Sequence, residues 1–291
     1  MTPTRRTILF VGYCVGLSLV YAQVLWTLYD YSLDNVTASH VVLIPFVSAA
    51  LIVQDRVRIL SSVRTSWVSG LAIGMVGAGL AIEAWLSGGR GAAHTDWLTW
   101  SVGSFVVLSI GGFVLLYGWN ASKAAVFPLL FLGFMIPIPD GLLHSLTSIL
   151  KTGSTETVAG LFSLTGTPYH RDGFVFTLPN FVIEIADECS GIRSSIALLL
   201  TMLLTGHAFL KRPVSKLLLV LAIFPVSILK NAIRIACLSL LAIHVDRGFL
   251  EGRLHHEGGI VFFLMALVVL GPLLSLLRNS EERQRVEVRS A

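Results

Sequence analysis

The chain has 291 residues, of which 54% are hydrophobic and only 13% charged, with a formal net charge of +4. About a quarter of the residues in an ordinary soluble domain are charged. A soluble fold of this length has too little interior to bury so much apolar surface. The composition excludes a water-soluble enzyme, a nucleic-acid-binding protein and a disordered scaffold, and it indicates a membrane protein.

Long uncharged runs predict the membrane spans. Residues 7–29, 35–54, 98–122 and 258–277 contain no Asp, Glu, Lys or Arg, and each run reaches the roughly 20 residues that a helix needs to cross the hydrocarbon core. The sequence predicts an all-α polytopic membrane protein with about eight transmembrane helices. They are placed at residues 8–29, 39–54, 65–87, 97–119, 122–141, 191–210, 214–243 and 258–278. We expect the first span to be retained, because no small-residue cleavage site follows it.

The distribution of basic residues predicts the orientation. With the N-terminus inside, the cytoplasmic segments hold 13 of the 21 basic residues: Arg5, Arg6, Arg56, Arg58, Arg64, Lys123, Lys211, Arg212, Lys216, Arg278, Arg283, Arg285 and Arg289. By the positive-inside rule, both termini are expected to be cytoplasmic. We expect one transmembrane domain, residues 1–278, and a polar cytoplasmic tail, residues 279–291.

One long extracytoplasmic insertion is expected at about residues 142–190. Its apolar stripe of Leu142, Leu143, Leu146, Ile149 and Leu150 is typical of a helix lying in the interface. A second short helix is expected near residues 156–164. The β-branched and aromatic residues of 173–185, around Pro179 and Asn180, predict a small hairpin.

Cys189 is the cysteine that the sequence singles out for chemistry. Cys14 and Cys237 fall in apolar helices, where a cysteine usually acts as a small buried hydrophobe. Cys189 ends the insertion immediately before the sixth span, and a helix N-terminus favours a thiolate. Arg193, four residues later, would lie on the same helical face and add to this effect. The nearby acidic residues Glu184, Asp187 and Glu188 oppose it, so the net balance stays open.

Span seven carries Lys230 and Arg234 within otherwise apolar sequence. Ionisable residues are costly inside a membrane and generally face a polar cavity or a partner. Arg234 lies about 20 residues beyond Val214, or roughly 30 Å along a helix. That distance places it near the outer face, at the level of Cys189. A snorkelling arginine is the alternative, but the apolar run 235–243 beyond Arg234 argues against it.

His255 and His256 are expected at the same outer level, just before span eight. Histidine carries protons near neutral pH and can activate a thiol or protonate a leaving amine. Three different spans would therefore bring Cys, Arg and His together. A metal site could be drawn from His244, Asp246, His255, His256 and Glu257. That spacing matches no zincin-type helical pattern, so no metal or cofactor is expected. A Ser190 or Ser194 nucleophile is less favoured than Cys189.

At these residues the chain resembles the exosortase/archaeosortase family of multi-pass membrane cysteine enzymes. Residues 188–194, Glu-Cys-Ser-Gly-Ile-Arg-Ser, resemble the family's cysteine motif, and residues 231–235, Asn-Ala-Ile-Arg-Ile, resemble its arginine motif. His255, followed by Gly259 and Phe263, resembles its histidine motif. Residues 39–46 and 127–139 resemble earlier family segments. The likeness covers about residues 36–270, with the motifs in the expected order.

The resemblance implies a cysteine-type peptidase or transpeptidase in a bacterial inner membrane. Its substrates would be exported proteins with a C-terminal sorting tail of the PEP-CTERM type, consisting of a short signature motif, a transmembrane helix and a basic cluster. Cys189 would be the nucleophile, Arg234 would stabilise the oxyanion, and His255 would be the general acid/base. Arg193, Asn231, His256 and Glu188 would support them. The acceptor is not specified, and nucleic acid is not expected as a partner.

Other classes of function stay open on sequence grounds. A transporter would use Lys230 and Arg234 to line a solute path and would be indifferent to Cys189. A membrane acyltransferase would use His255 and a lipid acyl donor. A chain that only assembles exopolysaccharide machinery would have no catalysis of its own.

Overall fold

The structure, a computed structural model, describes residues 2–35, 37–63, 66–89, 94–246, 248 and 259–290. The described chain is mostly helical and divides into two compact units, Met1–Leu142 and Leu143–Ala291. Helices of the first unit are α1 (Pro3–Val20), α2 (Ala22–Asp34), α3 (Ile44–Gln54), α4 (Arg56–Ser61), α5 (Trp67–Gly89), α6 (His94–Tyr117), α7 (Trp119–Ala124) and α8 (Val126–Phe131), followed by a 3-10 helix (Leu132–Met135).

The second unit contains most of α9 (Asp140–Leu164) and a three-stranded antiparallel sheet. The strands are β1 (His170–Asp172), β2 (Val175–Thr177) and β3 (Val182–Glu184). A 3-10 turn (Asp187–Ser190) then leads into α10 (Ile192–Phe209), α11 (Pro213–His244) and α12 (Gly259–Ser290).

Among the described residues, five helices are long and apolar enough to cross a membrane, namely α5, α6, α10, α11 and α12. Two further pairs of consecutive helices, α1 with α2 and the 126–135 segment with α9, raise the number to seven if each pair is one span. The predicted number of eight is therefore not reproduced. Helix α3 has 11 residues and would cover only about 16 Å, too little to cross the membrane unaided.

Several predicted boundaries are wrong. The span predicted at residues 8–29 bends by 74° between α1 and α2. The span predicted at 122–141 is divided among α7, α8 and the 3-10 helix, and it is interrupted before α9, where Pro137 and Pro139 cannot continue the helical hydrogen bonding. The two short helices expected after residue 142 are one continuous helix, α9. Two strands were expected at 173–185, and the sheet there has β1 as a third strand.

Small residues let α5 and α6 approach closely in the first unit. A Cβ added at Gly70 would lie 2.6 Å from the Cα of Leu115, and one added at Gly77 would lie 2.8 Å from the Leu108 side chain. The Ser104 hydroxyl donates to the carbonyl of Gly77 at 2.9 Å. Packing through small residues, with hydrogen bonds between helices, is how membrane helices associate without a hydrophobic driving force.

The second unit has two apolar clusters. Helices α10, α11 and α12 pack together through Leu198, Met202, Leu210, Leu219, Ile223, Ala266 and Leu270. Helix α9, the sheet and α11 meet through Val158, Phe162, Phe176, Leu178, Ile185, Ala232 and Ala236. Cys189 packs against this second cluster, so burial of the sheet draws the cysteine segment towards α11.

Helix α12 also provides the N-terminal cap of α11. Residue Glu281 is 5% exposed, and its carboxylate accepts the backbone N–H groups of Lys211 at 2.9 Å and Arg212 at 3.0 Å. These donors stand just before the first turn of α11, where a negative charge also favours the helix dipole. Residues 279–290, predicted as a polar tail, continue α12 as a helix, and this contact gives a reason for it.

We predict that Glu281→Ala destabilises the protein by about 1–2 kcal/mol, because it leaves two N–H groups just before α11 without their charged acceptor. Glu282→Ala is the matched control. Glu282 is exposed and pairs with Arg278 at 2.9 Å, so its loss is expected to cost about 0.5 kcal/mol or less. Unfolding free energies in detergent micelles measure both, and equal effects would contradict the capping role.

Candidate active site

The nucleophile candidate lies in a 3-10 turn, outside the first turn of α10. Cys189 belongs to the Asp187–Ser190 turn, and its N–H donates to the carbonyl of Ala186 at 3.0 Å. Gly191 then separates this turn from α10, with a left-handed φ of 77°. The expectation that Arg193 shares a helical face with Cys189 is wrong, because this break interrupts the helix between them. Arg193 is exposed.

Asn231 of α11 binds the backbone of the cysteine. Its Nδ2 donates to the carbonyl oxygen of Cys189 at 2.8 Å and to Ser154 Oγ of α9 at 3.1 Å. Asn231 is 1% exposed and Ser154 is fully buried. The cysteine motif and the arginine motif, 42 residues apart, are therefore in direct contact. Gly153 permits this approach of α9, since a Cβ there would lie 2.7 Å from Ile228 Cδ1 of α11.

Gly191 is needed for both its conformation and its size. A Cβ at this position would lie 2.8 Å from Asn231 Oδ1, and the left-handed φ is itself unfavourable for any residue with a Cβ. The Gly191 carbonyl caps the next turn, where it accepts the hydroxyls of Ser194 at 3.0 Å and Ser195 at 2.9 Å. The turn and the start of α10 are thus fixed together.

Lys230 and Arg234 lie one turn apart on α11, so they share a face of the helix. Lys230 is 3% exposed and donates from Nζ to Ser194 Oγ. Arg234 is half-buried, and its positive charge acts on Lys230. The sequence analysis identified both cations, but it did not predict the contact of Lys230 with Ser194 of α10. Two cations and Asn231 thus follow one another along α11 beside the cysteine turn.

A salt bridge holds the other side of the turn. Lys151 Nζ of α9 lies 2.9 Å from Asp187 Oδ1 and 4.3 Å from the centre of the Phe174 ring. The hydrogen bond from Lys151, and its charge, hold the pKa of the exposed Asp187 carboxyl below its usual value. Asp187 therefore stays charged at neutral pH, with its charge directed to α9.

The remaining predicted site residues have mixed outcomes. His255, His256 and the side chain of Glu188 lie outside the described residues, as does Glu257 of the metal-ligand alternative.

Cys14, Cys189 and Cys237 are all free thiols. Cys237 is exposed on the surface of α11, so the expectation of a buried residue is wrong there. Sequence reasoning missed Ser154, because α9 buries two further hydroxyl residues, Thr147 and Thr155, and nothing in the sequence distinguishes Ser154 from them.

Comparison with known proteins agrees with the order of the motifs. The family model described as transmembrane exosortase (Exosortase_EpsH) matches residues 32–271. The chain belongs to the transmembrane exosortase family. No curated protein and no solved structure matches it. With its apolar helices, this exosortase is a multi-pass membrane protein.

We predict that Gly191→Ala loosens the cysteine turn of this exosortase. The left-handed φ and the collision with Asn231 together cost on the order of 1–3 kcal/mol, enough to raise the local opening of the half-buried Cys189 by about fivefold or more. The rate of maleimide labelling measures this, in a background of Cys14→Ser and Cys237→Ser.

Gly173→Ala is the matched control for the Gly191 experiment. Gly173 also has a left-handed φ, of 58°, but nothing lies within 4 Å of an added Cβ. Its substitution has the same kind of backbone strain away from Cys189 and should leave the labelling rate near that of the parent. Equal acceleration in both variants would show that contact with Asn231 is unimportant.

Proposed function

We propose that this exosortase is a cysteine peptidase or transpeptidase that removes C-terminal sorting tails from exported proteins at the outer membrane–water interface. The observation that carries the proposal is the hydrogen bond from Asn231 to the backbone of Cys189. It joins the family's cysteine and arginine motifs in one site. The proposed location is a bacterial inner membrane, with both termini cytoplasmic and the site facing the exterior.

The proposed reaction begins with attack of the Cys189 sulfur on a peptide carbonyl of the substrate. A C–S bond forms while the thiol proton passes to His255, and the negative charge on the oxygen is stabilised by Arg234. The C–N bond then breaks as His255 returns the proton to the leaving amine, which carries away the tail. The acyl group stays on sulfur as a thioester until an acceptor amine or water attacks it.

The electrostatics of α11 support this assignment of Arg234. An arginine is charged at every accessible pH, so it can stabilise an oxyanion without a change of protonation. Arg234 is half-buried, and the nearby Lys230 is buried. Charges act more strongly where water is scarce.

The position of Lys230 favours a peptidase over a transporter. A lysine that lines a solute path must expose its ammonium to the solute. Lys230 is only 3% exposed and its ammonium is hydrogen-bonded to Ser194. Its contact holds α10 against α11, which is a structural role beside the cysteine turn.

The deciding experiment is co-expression with a reporter protein that carries a PEP-CTERM-type tail. We expect the wild type to shorten the reporter, and Cys189→Ala, Arg234→Ala and His255→Ala to leave it intact at matched membrane levels. Loss of one such group usually costs 100-fold or more, on the order of 10²–10⁴. Mass analysis of the new C-terminus then distinguishes transfer from hydrolysis.

Two outcomes would contradict the proposal. If Cys189→Ala still processes the reporter, Cys189 is not the nucleophile. If the wild type never shortens the reporter although its Cys189 reacts normally with maleimide, proteins with PEP-CTERM-type tails are not its substrates. Arg193→Ala is the matched charge control, because Arg193 is exposed and the break at Gly191 separates it from the cysteine turn. It is expected to keep most of the activity.

We also predict that Asn231→Asp slows processing at least tenfold at matched membrane levels. The substitution keeps the size of the side chain but replaces both N–H donors with a carboxylate oxygen, which repels the Cys189 carbonyl. Ser154→Ala removes only the second acceptor of Asn231, so it should slow processing less. If the two variants are equally slow, the hydrogen bond to Ser154, not that to Cys189, is the one that matters.

A further inference from the structure

Strand β3 forms an open edge of the sheet in the described part of the chain. The strand order is β1-β2-β3, so β3 has β2 on one side only. Its partners on that side are defined by the register, in which Phe176 faces Ile183. Just beyond the strand, the N–H of Ile185 donates to the carbonyl of Phe174 at 3.0 Å. Ile183 and Ile185 therefore direct their peptide groups towards β2.

The alternation of an antiparallel ladder then fixes the other residues of β3. Residues between the hydrogen-bonded ones direct their N–H and C=O groups to the opposite side. These are Val182 and Glu184, so both point their backbone groups away from the sheet. The outward N–H and C=O groups of Val182 and Glu184 are two donors and two acceptors, arranged as an added antiparallel or parallel strand requires.

The edge has few of the features that normally prevent pairing. Protein edges are commonly blocked by proline, lysine, a bulge or a covering segment. The β3 sequence is Val-Ile-Glu, without proline or lysine, and its register with β2 is regular. The Val182 side chain is 61% exposed. In the described part of the chain, two features limit what the edge can bind, the shortness of the strand and the charge of Glu184.

The edge is also held in a fixed relation to the nucleophile. Glu184 precedes Cys189 by five residues, which is at most about 17 Å of extended chain. The sheet is fixed to α9 by Arg171, whose guanidinium forms two hydrogen bonds with Glu156 at 2.7 and 3.0 Å. The cysteine turn is fixed by Asn231 and by the Lys151–Asp187 salt bridge.

We propose that the substrate docks as an added β-strand on the free edge of β3, pairing with the peptide groups of Val182 and Glu184. The inference rests on the proposed function and names how its substrate is recognised. The ligand is an extended peptide segment of the substrate protein, within about five residues of the bond that is cleaved. Backbone pairing supplies affinity that does not depend on sequence, and alternate side chains supply selectivity.

The shortness of β3 suits a processing enzyme. Two residues can form only a few hydrogen bonds, so the free peptide binds weakly and the product leaves readily. A substrate with its own transmembrane helix is confined to the same bilayer, which raises its effective concentration at the edge. Anchoring and strand addition then act together.

Val182→Pro tests the proposal because it removes one outward N–H and no hydrogen bond to β2. Proline is tolerated on an edge strand where its nitrogen faces away from the sheet. With the same tail-bearing reporter, we expect Val182→Pro to process at least tenfold more slowly than Val182→Ala, which keeps the N–H. Membrane levels and the maleimide labelling of Cys189 should be alike in the two variants. Equal processing by both would overturn the docking edge and leave the peptidase proposal standing.

A cross-linking experiment does not depend on tolerance of the proline. Val182→Cys is placed in a chain with Cys14→Ser, Cys189→Ala and Cys237→Ser, and single cysteines are moved residue by residue through the reporter before its transmembrane helix. Strand addition predicts disulfides at alternate reporter positions, because side chains of a strand alternate between faces. Cross-links without this alternation, or none at all, would overturn it. If the wild type never cuts the reporter, the proposed function fails and the docking edge fails with it.

Discussion

The side-chain amide of Asn231 has two N–H groups in a nearly dry part of the protein, and both need acceptors. One binds the carbonyl of Cys189 and the other binds Ser154 of α9. A single buried side chain thus sets the distances among three segments that are far apart in sequence. The register of α11 follows from this contact, and it fixes where Arg234 stands, three residues further along the helix. The geometry of the site depends on this amide more than on any interaction of the thiol itself.

Gly191 is the second requirement, because the chain must change direction directly against Asn231. With φ at 77°, it ends the 3-10 turn and starts α10 without a side chain between them. The cysteine consequently stands apart from α10. Any stabilisation of a thiolate by the dipole of α10 is weaker than a cysteine in the first turn would receive, since that effect falls off within about a turn. The groups brought to the turn by α11 matter more.

The sequence predicted the elements that depend on composition and missed those that depend on packing. Apolar runs identified α5, α6, α10, α11 and α12 because the membrane requires long apolar helices regardless of their neighbours. Helix α9 was expected as two short helices, an interfacial one that begins at Leu142 and a second near residues 156–164, although Gly153 and Gly160 are the residues of the segment with the lowest helix propensity. It continues through both, since Val158 and Phe162 are buried against the sheet and tertiary contacts outweigh propensity. The bend between α1 and α2 could not be predicted, because no proline or glycine stands at the bend, where the sequence is Val20-Tyr21-Ala22.

The same division applies to the site. Cys189, Lys230 and Arg234 were found because a reactive or charged residue is conspicuous in apolar sequence. Ser154 and the hydrogen bond between Lys230 and Ser194 were not, because they exist only where α9 and α10 approach α11. The charges of the site then follow from these contacts. Two cations on α11 lie among buried and half-buried groups, while the nearby carboxylate of Asp187 is paired with Lys151 on α9. The cations of α11 thus lie where they could stabilise an anion that forms during a reaction more than a neutral ground state.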